Sequence, residues 1–116
     1  MPEGNSPLTP ALFNVLLALA DGDKHGYAIL KEVAEQTDGE VQLSTGTLYG
    51  IIKRLLSDGL IVEVRRRPAL VDDDQRRRYY HLTEDGRQLA IAEAARMEKL
   101  LQRARSKRLS KALRTV

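Results

Sequence analysis

From Leu43 to Arg54 the chain reads Leu43-Ser44-Thr45-Gly46-Thr47-Leu48-Tyr49-Gly50-Ile51-Ile52-Lys53-Arg54, a stretch dense in groups that hydrogen-bond phosphates or base edges. Leu48, Ile51, Ile52, Leu55 and Leu56 recur at helical spacing. Ser44 is a good N-cap, and Gly59 stands where a left-handed C-terminal glycine belongs. The arc opposite the apolar stripe holds Gly46, Gly50, Lys53 and Arg54, flanked by Thr47 and Tyr49. The hydroxyls of Ser44, Thr45 and Thr47 and the Tyr49 phenol suit phosphate oxygens or bases, and free N–H groups at a helix start favour a phosphate. Lys53 and Arg54, one turn on, suit phosphates or guanine. A glycine inside a surface helix costs roughly 1 kcal/mol. Two on an outward arc therefore ask for a reason, and close approach of double-stranded DNA is one. Taken singly, Ser44 and Thr45 could merely cap the helix and Tyr49 could pack on its rim.

A second basic group lies at residues 65–78. Arg65, Arg66 and Arg67 lead into a polar stretch with Pro68 and Asp72-Asp73-Asp74, and Arg76, Arg77 and Arg78 lead out of it. Arginines lining a minor groove answer to its negative potential and its width. Alternate residues of a strand face opposite ways, so about half of the six can point at one partner. Arg67, Arg76 and Arg78 are the expected contacts. The plainer alternatives are a charged hairpin that protects an edge strand and arginines paired with the three aspartates.

Several elements must position these groups. Thr9 and Pro10 open a first helix carrying Leu12, Val15, Leu16 and Leu19, stopped by Asp21-Gly22. A second helix is expected from about Gly26 to Thr37, with Tyr27, Leu30, Val33 and Ala34 on its apolar side and Asp38-Gly39 ending it. Val41 and Leu43 alternate with Glu40 and Gln42, which suggests a short extended piece before the Ser44 helix. Residues 60–66 and 77–82 are β-branched or aromatic enough to pair as a hairpin around the polar loop. Thr83 caps a final long helix, with Glu84 and Asp85 complementing its dipole. There Ala90, Ala94, Met97, Leu101 and Ala104 follow a 4-3-4-3 spacing, a short heptad-like seam. A chain of 116 residues has little core of its own to cover this seam. Leu12 and Leu16 together with the five seam residues are thus expected to form a homodimer surface. The alternative is a last helix folded back on its own domain.

The expected architecture is mainly α with a small β-hairpin (α+β), a winged helix-turn-helix with a long C-terminal dimerisation helix. Residues 1–7 read as a flexible lead, 8–82 as the nucleic-acid-facing domain, 83–105 as the dimerisation helix and 106–116 as a basic tail. Composition narrows the function classes. There is no cysteine, which excludes disulfides, cysteine-based zinc sites and thiol chemistry and suits a reducing cytoplasm. The net charge of +3 is unevenly placed: from Lys99 onward there are seven basic residues and no acid, leaving 12 basic against 16 acidic side chains elsewhere. Attraction to nucleic acid must therefore come from local clusters rather than from the whole chain. No apolar run is long enough to span a membrane. His25 and His81 fall in different elements without ligand spacing, and no phosphate-binding glycine loop is present, so neither an enzyme, a cofactor nor a metal is expected.

In order and spacing, Leu8-Thr9-Pro10, Ala20-Asp21-Gly22, His25-Gly26-Tyr27, Gly46-Thr47-Leu48-Tyr49, Ile52-Lys53-Arg54-Leu55, Asp58-Gly59-Leu60-Ile61 and Arg77-Arg78-Tyr79-Tyr80-His81-Leu82-Thr83 with Gly86 resemble the PadR family of transcriptional regulators in its short form with a single C-terminal helix. The resemblance spans about Leu8 to Arg105. It implies a dimeric, usually repressing regulator whose last helix forms the dimer interface, often released by a small aromatic or amphipathic effector bound near that interface. Two departures stand out. Gly50 occupies a position where many relatives have proline, and no tryptophan on the last helix supports an aromatic stacking pocket. Two other classes fit the same residues, a winged-helix module that binds protein rather than DNA and a small-molecule carrier.

Overall fold

The structure, a computed structural model, describes residues 8–65 and 78–109. Its elements run α1 (Pro10–Ala18), β1 (Lys24–His25), α2 (Gly26–Gln36), α3 (Thr45–Ser57), β2 (Ile61–Arg65), β3 (Arg78–Leu82) and α4 (Glu84–Ser106). Each helix start is fixed by a side chain. Thr9 Oγ1 accepts the Leu12 N–H at 3.1 Å, with Pro10 following at the position where a missing N–H costs nothing. Ser44 Oγ accepts the Thr47 N–H at 3.0 Å, and Thr83 Oγ1 accepts the Gly86 N–H at 3.0 Å. The α2 cap is His25, whose Nδ1 accepts the Ala28 N–H at 3.2 Å and so holds its proton on the other ring nitrogen.

The core lies between α1, α2, α3 and the inner face of the sheet. Val15, Leu16, Ile29, Val33, Leu48, Leu55 and Ile61 are fully buried there, with Tyr80 and Leu82 supplied by β3. The sheet is antiparallel in the order β1-β3-β2, with Ile61 opposite Leu82, Glu63 opposite Tyr80 and Lys24 also opposite Tyr80. Alternation along β3 sends Tyr80 and Leu82 inward and leaves His81 exposed. Burial pushes the Tyr80 phenol above its ordinary pKa.

Three expectations are corrected. The extended piece at 40–43 is irregular chain: the Val41 N–H is taken by Thr37 Oγ1 at 3.0 Å, and Val41 and Leu43 pack on the core without a strand partner. The extra strand is instead β1, two residues long and too short to leave a pattern. Tyr27 does not join the apolar side of α2 but stands 68% exposed. Finally, α1 ends at Ala18, before Asp21-Gly22, because the Leu19 and Ala20 N–H groups turn back to Leu16 and Leu17.

Two close joints hold α4 and α3 in place. After α3 the chain turns at Gly59 (φ 75°), a left-handed conformation glycine adopts without strain, and the Leu60 N–H returns to the Leu55 carbonyl at 2.9 Å. The Leu60 carbonyl then accepts the Thr83 N–H at 3.1 Å, while the Thr83 hydroxyl donates to the Gly59 carbonyl at 2.8 Å. Gly86 lies directly on this junction, and a Cβ there would overlap the Leu60 carbonyl oxygen.

The long helix has two different halves. Its first half packs on the domain: Gly86 and Glu93 are buried, and Leu89 and Ala90 lie against the core. Glu93, only 6% exposed, accepts two hydrogen bonds from Arg96, which hold its carboxyl below the usual carboxylate range. A depressed carboxylate pKa contributes stability that is complete at neutral pH and lost as pH falls through the folded value. Melting of Glu93→Gln against the parent is therefore expected to show a deficit at pH 7 that closes in acid. A deficit constant with pH would rule the pair out as its source.

Beyond Ala94 the helix leaves the domain, and Met97, Leu100 and Leu101 are 40%, 53% and 36% exposed. This half extends about 20 Å at the helical rise.

Candidate nucleic-acid interface

The sequence of α3 dictates which side it shows. Leu48, Ile52 and Leu55 are buried, and Tyr49, Ile51 and Leu56 are half-buried at the edges of that stripe. The rest of the helix is exposed, and Ser44, Thr45, Gly46, Thr47, Gly50, Lys53 and Arg54 all fall on it. Among the described residues, nothing lies within 4 Å of where a Cβ would stand on Gly46 or Gly50. Among the described residues the two glycines therefore serve no packing, although each costs helix stability. What they provide is a low, smooth outer surface.

The polar groups on this face differ in how free they are. Ser44 Oγ caps the helix and donates to Thr47 Oγ1 at 2.9 Å, so both hydroxyls form one edge pair at the helix start. Thr45 and Lys53 make no side-chain hydrogen bond or ion pair among the described residues. Arg54 Nε stands 3.8 Å from Asp58, an exposed pair worth little and readily exchanged for a phosphate. Tyr49 is placed differently from the sequence expectation. It is half-buried, and its hydroxyl end lies over Gly26 at the start of α2, where a Cβ would overlap both the oxygen and the ring. Gly26 is required because Tyr49 lies against it, and Tyr49 in turn fixes α3 against α2.

Gly26→Ala tests this contact. The added methyl is expected to displace the Tyr49 ring and cost about 1–3 kcal/mol, the usual range for an overpacked site. Thermal melting measures it, and the double change with Tyr49→Ala should recover part of the loss because the two sites touch. Strict additivity of the two changes would disprove the contact.

On the wing, Arg78 is exposed and stands 3.9 Å from Glu63, which also pairs with Arg65 at 3.4 Å. One carboxylate between two guanidiniums leaves the hairpin stem with a positive excess. Arg67 and Arg76 lie outside the described residues, as do the three aspartates. At the base of the wing, His81 Nδ1 and Asp23 Oδ1 are 2.7 Å apart, and the His25 ring meets Tyr79 edge-on with centroids 5.5 Å apart. These contacts hold β3 to the segment entering α2. Sequence spacing did not suggest them, since Asp23 and His81 are 58 residues apart.

The expected dimer residues divide. Leu12 and Leu16 are 7% and 0% exposed, taken up by the chain's own core, and so are withdrawn as dimer contacts. Ala90 is half-buried with one side against the same core, and Ala104 is half-buried as well. Ala94, Met97 and Leu101 are exposed, joined by Leu100, and Leu17 replaces its buried neighbours on the outside of α1. The α1 residues were misassigned because a helix stripe looks the same whether its cover is intramolecular or a second chain.

Comparison with known proteins bears on the same geometry. Residues 15–92 match the model of the transcriptional regulator PadR-like family. A PadR family transcription regulator from Clostridium difficile shares the fold with a TM-score of 0.71 and 26% identity, over 84% of this chain and 97% of that one. A transcriptional regulator from Clostridium thermocellum gives a TM-score of 0.65 and 27% identity, over 83% and 86% of the two chains. The Bacillus subtilis PadR solved in complex with operator DNA gives 0.62 at 20% identity, over 72% of this chain and 46% of that one, a likeness of fold. An uncharacterised 37.1 kDa protein in transposon TN4556 of Streptomyces fradiae is 42% identical over 86 residues, 74% of this chain, which spans 22% of that relative's length. No described helix is long and apolar enough to cross a membrane. The matched segment contains α2, α3, both wing strands and the anchored half of α4, the parts that build and hold the exposed face, and by that match the chain belongs to the PadR-like family of transcriptional regulators, which are not enzymes.

Proposed function

We propose that this chain binds double-stranded DNA as a homodimer, with α3 in the major groove and the wing on the flanking backbone, and that it acts as a repressor by occupying a pseudo-palindromic operator. The observation that carries this is the pair of glycines on α3. Gly46 and Gly50 face outward with open space above them, at a cost to the helix that no contact among the described residues repays. A duplex resting on that face gives the cost a reason. Thr45, Thr47, Lys53 and Arg54 then reach phosphates or base edges, with Lys53 and Arg54 near the rim of the groove. Ser44 shapes the helix start. Arg67, Arg76 and Arg78 remain the wing contacts of the proposal. The free half of α4, with Ala94, Met97, Leu101 and Ala104, supplies the twofold partner. Symmetry then sets two copies of α3 at a spacing that a two-part operator must match. A small aromatic or amphipathic effector seated between paired α4 helices would release the operator by favouring a different spacing of the two α3 helices.

The critical test is Gly50→Ala. It is expected to raise thermal stability by up to about 1 kcal/mol and to weaken operator binding about tenfold or more, since a lost close contact of 1.4 kcal/mol is already tenfold. Binding is read by fluorescence anisotropy on duplexes selected from genomic fragments, over a salt series. A dimer neutralising six to ten phosphates loses about a thousandfold or more in affinity between 50 and 200 mM salt. Unchanged affinity in the stabilised variant would sink the close-approach argument. Salt-insensitive capture of a protein with no DNA affinity would favour a protein-binding winged helix.

A further inference from the structure

We propose that the outward side of α2, through the Tyr27 phenol and the Lys31 ammonium, grips the phosphate backbone of one DNA strand beside the groove that α3 enters; this rests on the DNA-binding function proposed above. Neither residue was singled out as a contact by sequence, because Tyr27 fits the apolar period of α2. The structure turns it outward, 68% exposed, whereas Phe13, Tyr49 and Tyr79 are half-buried and Tyr80 is buried. An exposed phenol contributes nothing to the core, which at this level of α2 is closed by Ile29 and Val33.

Position gives the exposed phenol a use. Tyr27 immediately follows Gly26, and Gly26 lies under the hydroxyl end of Tyr49 from α3. The first turn of α2 is therefore the shoulder on which α3 rests, through Tyr49, the residue before Gly50. Lys31 is four residues on, the spacing that puts two side chains on one helix face about 5–6 Å apart at Cβ. It is exposed as well, and neither side chain forms a hydrogen bond or ion pair among the described residues. One further turn along the same face stands Glu35, also exposed, whose charge repels phosphate and so limits the contact to the first two turns. The helix start itself is occupied, since His25 Nδ1 already accepts the Ala28 N–H. The contact thus comes from side chains rather than from the helix dipole.

The chemistry is that of orientation rather than sequence reading. A phenol donates one hydrogen bond and an ammonium up to three, and a phosphate oxygen accepts both without reference to the base it carries. When α3 lies in a groove, the preceding helix of a helix-turn-helix crosses the backbone at its side. Tyr27 and Lys31 are the side chains this chain presents there. Their joint role is to fix the angle at which α3 enters.

Tyr27→Phe and Lys31→Gln test this on the full-length protein. Each is titrated by anisotropy against a selected operator and against an unrelated duplex of equal length, over the same salt series. Tyr27→Phe is expected to weaken both complexes by a similar factor, about three- to tenfold, with the salt slope unchanged because no charge is removed. Lys31→Gln is expected to weaken both and to flatten the slope by about 0.9 for each phosphate no longer neutralised. Thermal melting should be unaltered in both variants, which separates a contact from a folding effect. Parental affinity and slope in both variants, with the parent binding normally, would overturn this proposal alone. A loss confined to the operator would overturn it in favour of base reading by α2. A parent that binds neither duplex would overturn the proposed function and this contact with it.

Discussion

Leu101→Glu is expected to turn the protein into a monomer in sedimentation and to lower operator affinity by a hundredfold or more, the gain that joining two binding modules typically brings. Leu101 lies on the half of α4 that leaves the domain, beside Met97 and Leu100. A carboxylate placed in a dry helix seam would lose its hydration without a partner, and the seam opens rather than bury it. The single domain should survive, because none of these three residues belongs to the buried cluster around Leu16, Leu48 and Ile61. Far-ultraviolet circular dichroism is therefore expected to stay near that of the parent. The melting temperature should lose its dependence on protein concentration, which association imposes on the parent. A variant that sediments at dimer mass would move the interface elsewhere, with Leu17 of α1 the next apolar candidate.

Gly86→Ala carries the largest expected effect on stability. By helix propensity alone, alanine at this first-turn position of α4 should stabilise by up to about 1 kcal/mol. The structure reverses the sign. The new methyl would overlap the Leu60 carbonyl oxygen, and that oxygen cannot retreat, since it accepts the Thr83 N–H at 3.1 Å. The Leu82 side chain closes in from the same side. With backbone as the obstacle, α4 must tilt or its first turn must open, at about 3 kcal/mol or more. For a domain of this size, that lowers the melting temperature on the order of 10 °C. A melting temperature equal to or above that of the parent would show the junction to be compliant. Set beside Gly50→Ala, the same chemical change is expected to destabilise in one helix and stabilise in another, with only the surroundings differing.

That contrast also bears on how far sequence could be read. Helix starts were legible because their causes are local: Thr9, Ser44 and Thr83 each accept an N–H three residues on. The outward arc of α3 was legible because Leu48, Ile52 and Leu55 define its opposite. Tyr27 was misjudged because a phenol counts as apolar in a periodic pattern, yet the stripe formed by Ile29 and Val33 leaves it on the solvent side. β1 left no trace, since two residues cannot show alternation and their pairing depends on Tyr79 and Tyr80, more than fifty residues away.

By itself the sequence determined where the helices begin, which side of α3 is polar and basic, that no cysteine chemistry is possible, and the family. All of these follow from local hydrogen bonding, local periodicity or composition. The tertiary structure alone decided that Leu12 and Leu16 serve the chain's own core, that Tyr49 leans on Gly26, that Tyr27 faces out, and that Gly86 meets the Leu60 carbonyl. A stripe of apolar residues specifies that something must cover it. Only the packing of elements distant in sequence settles what does.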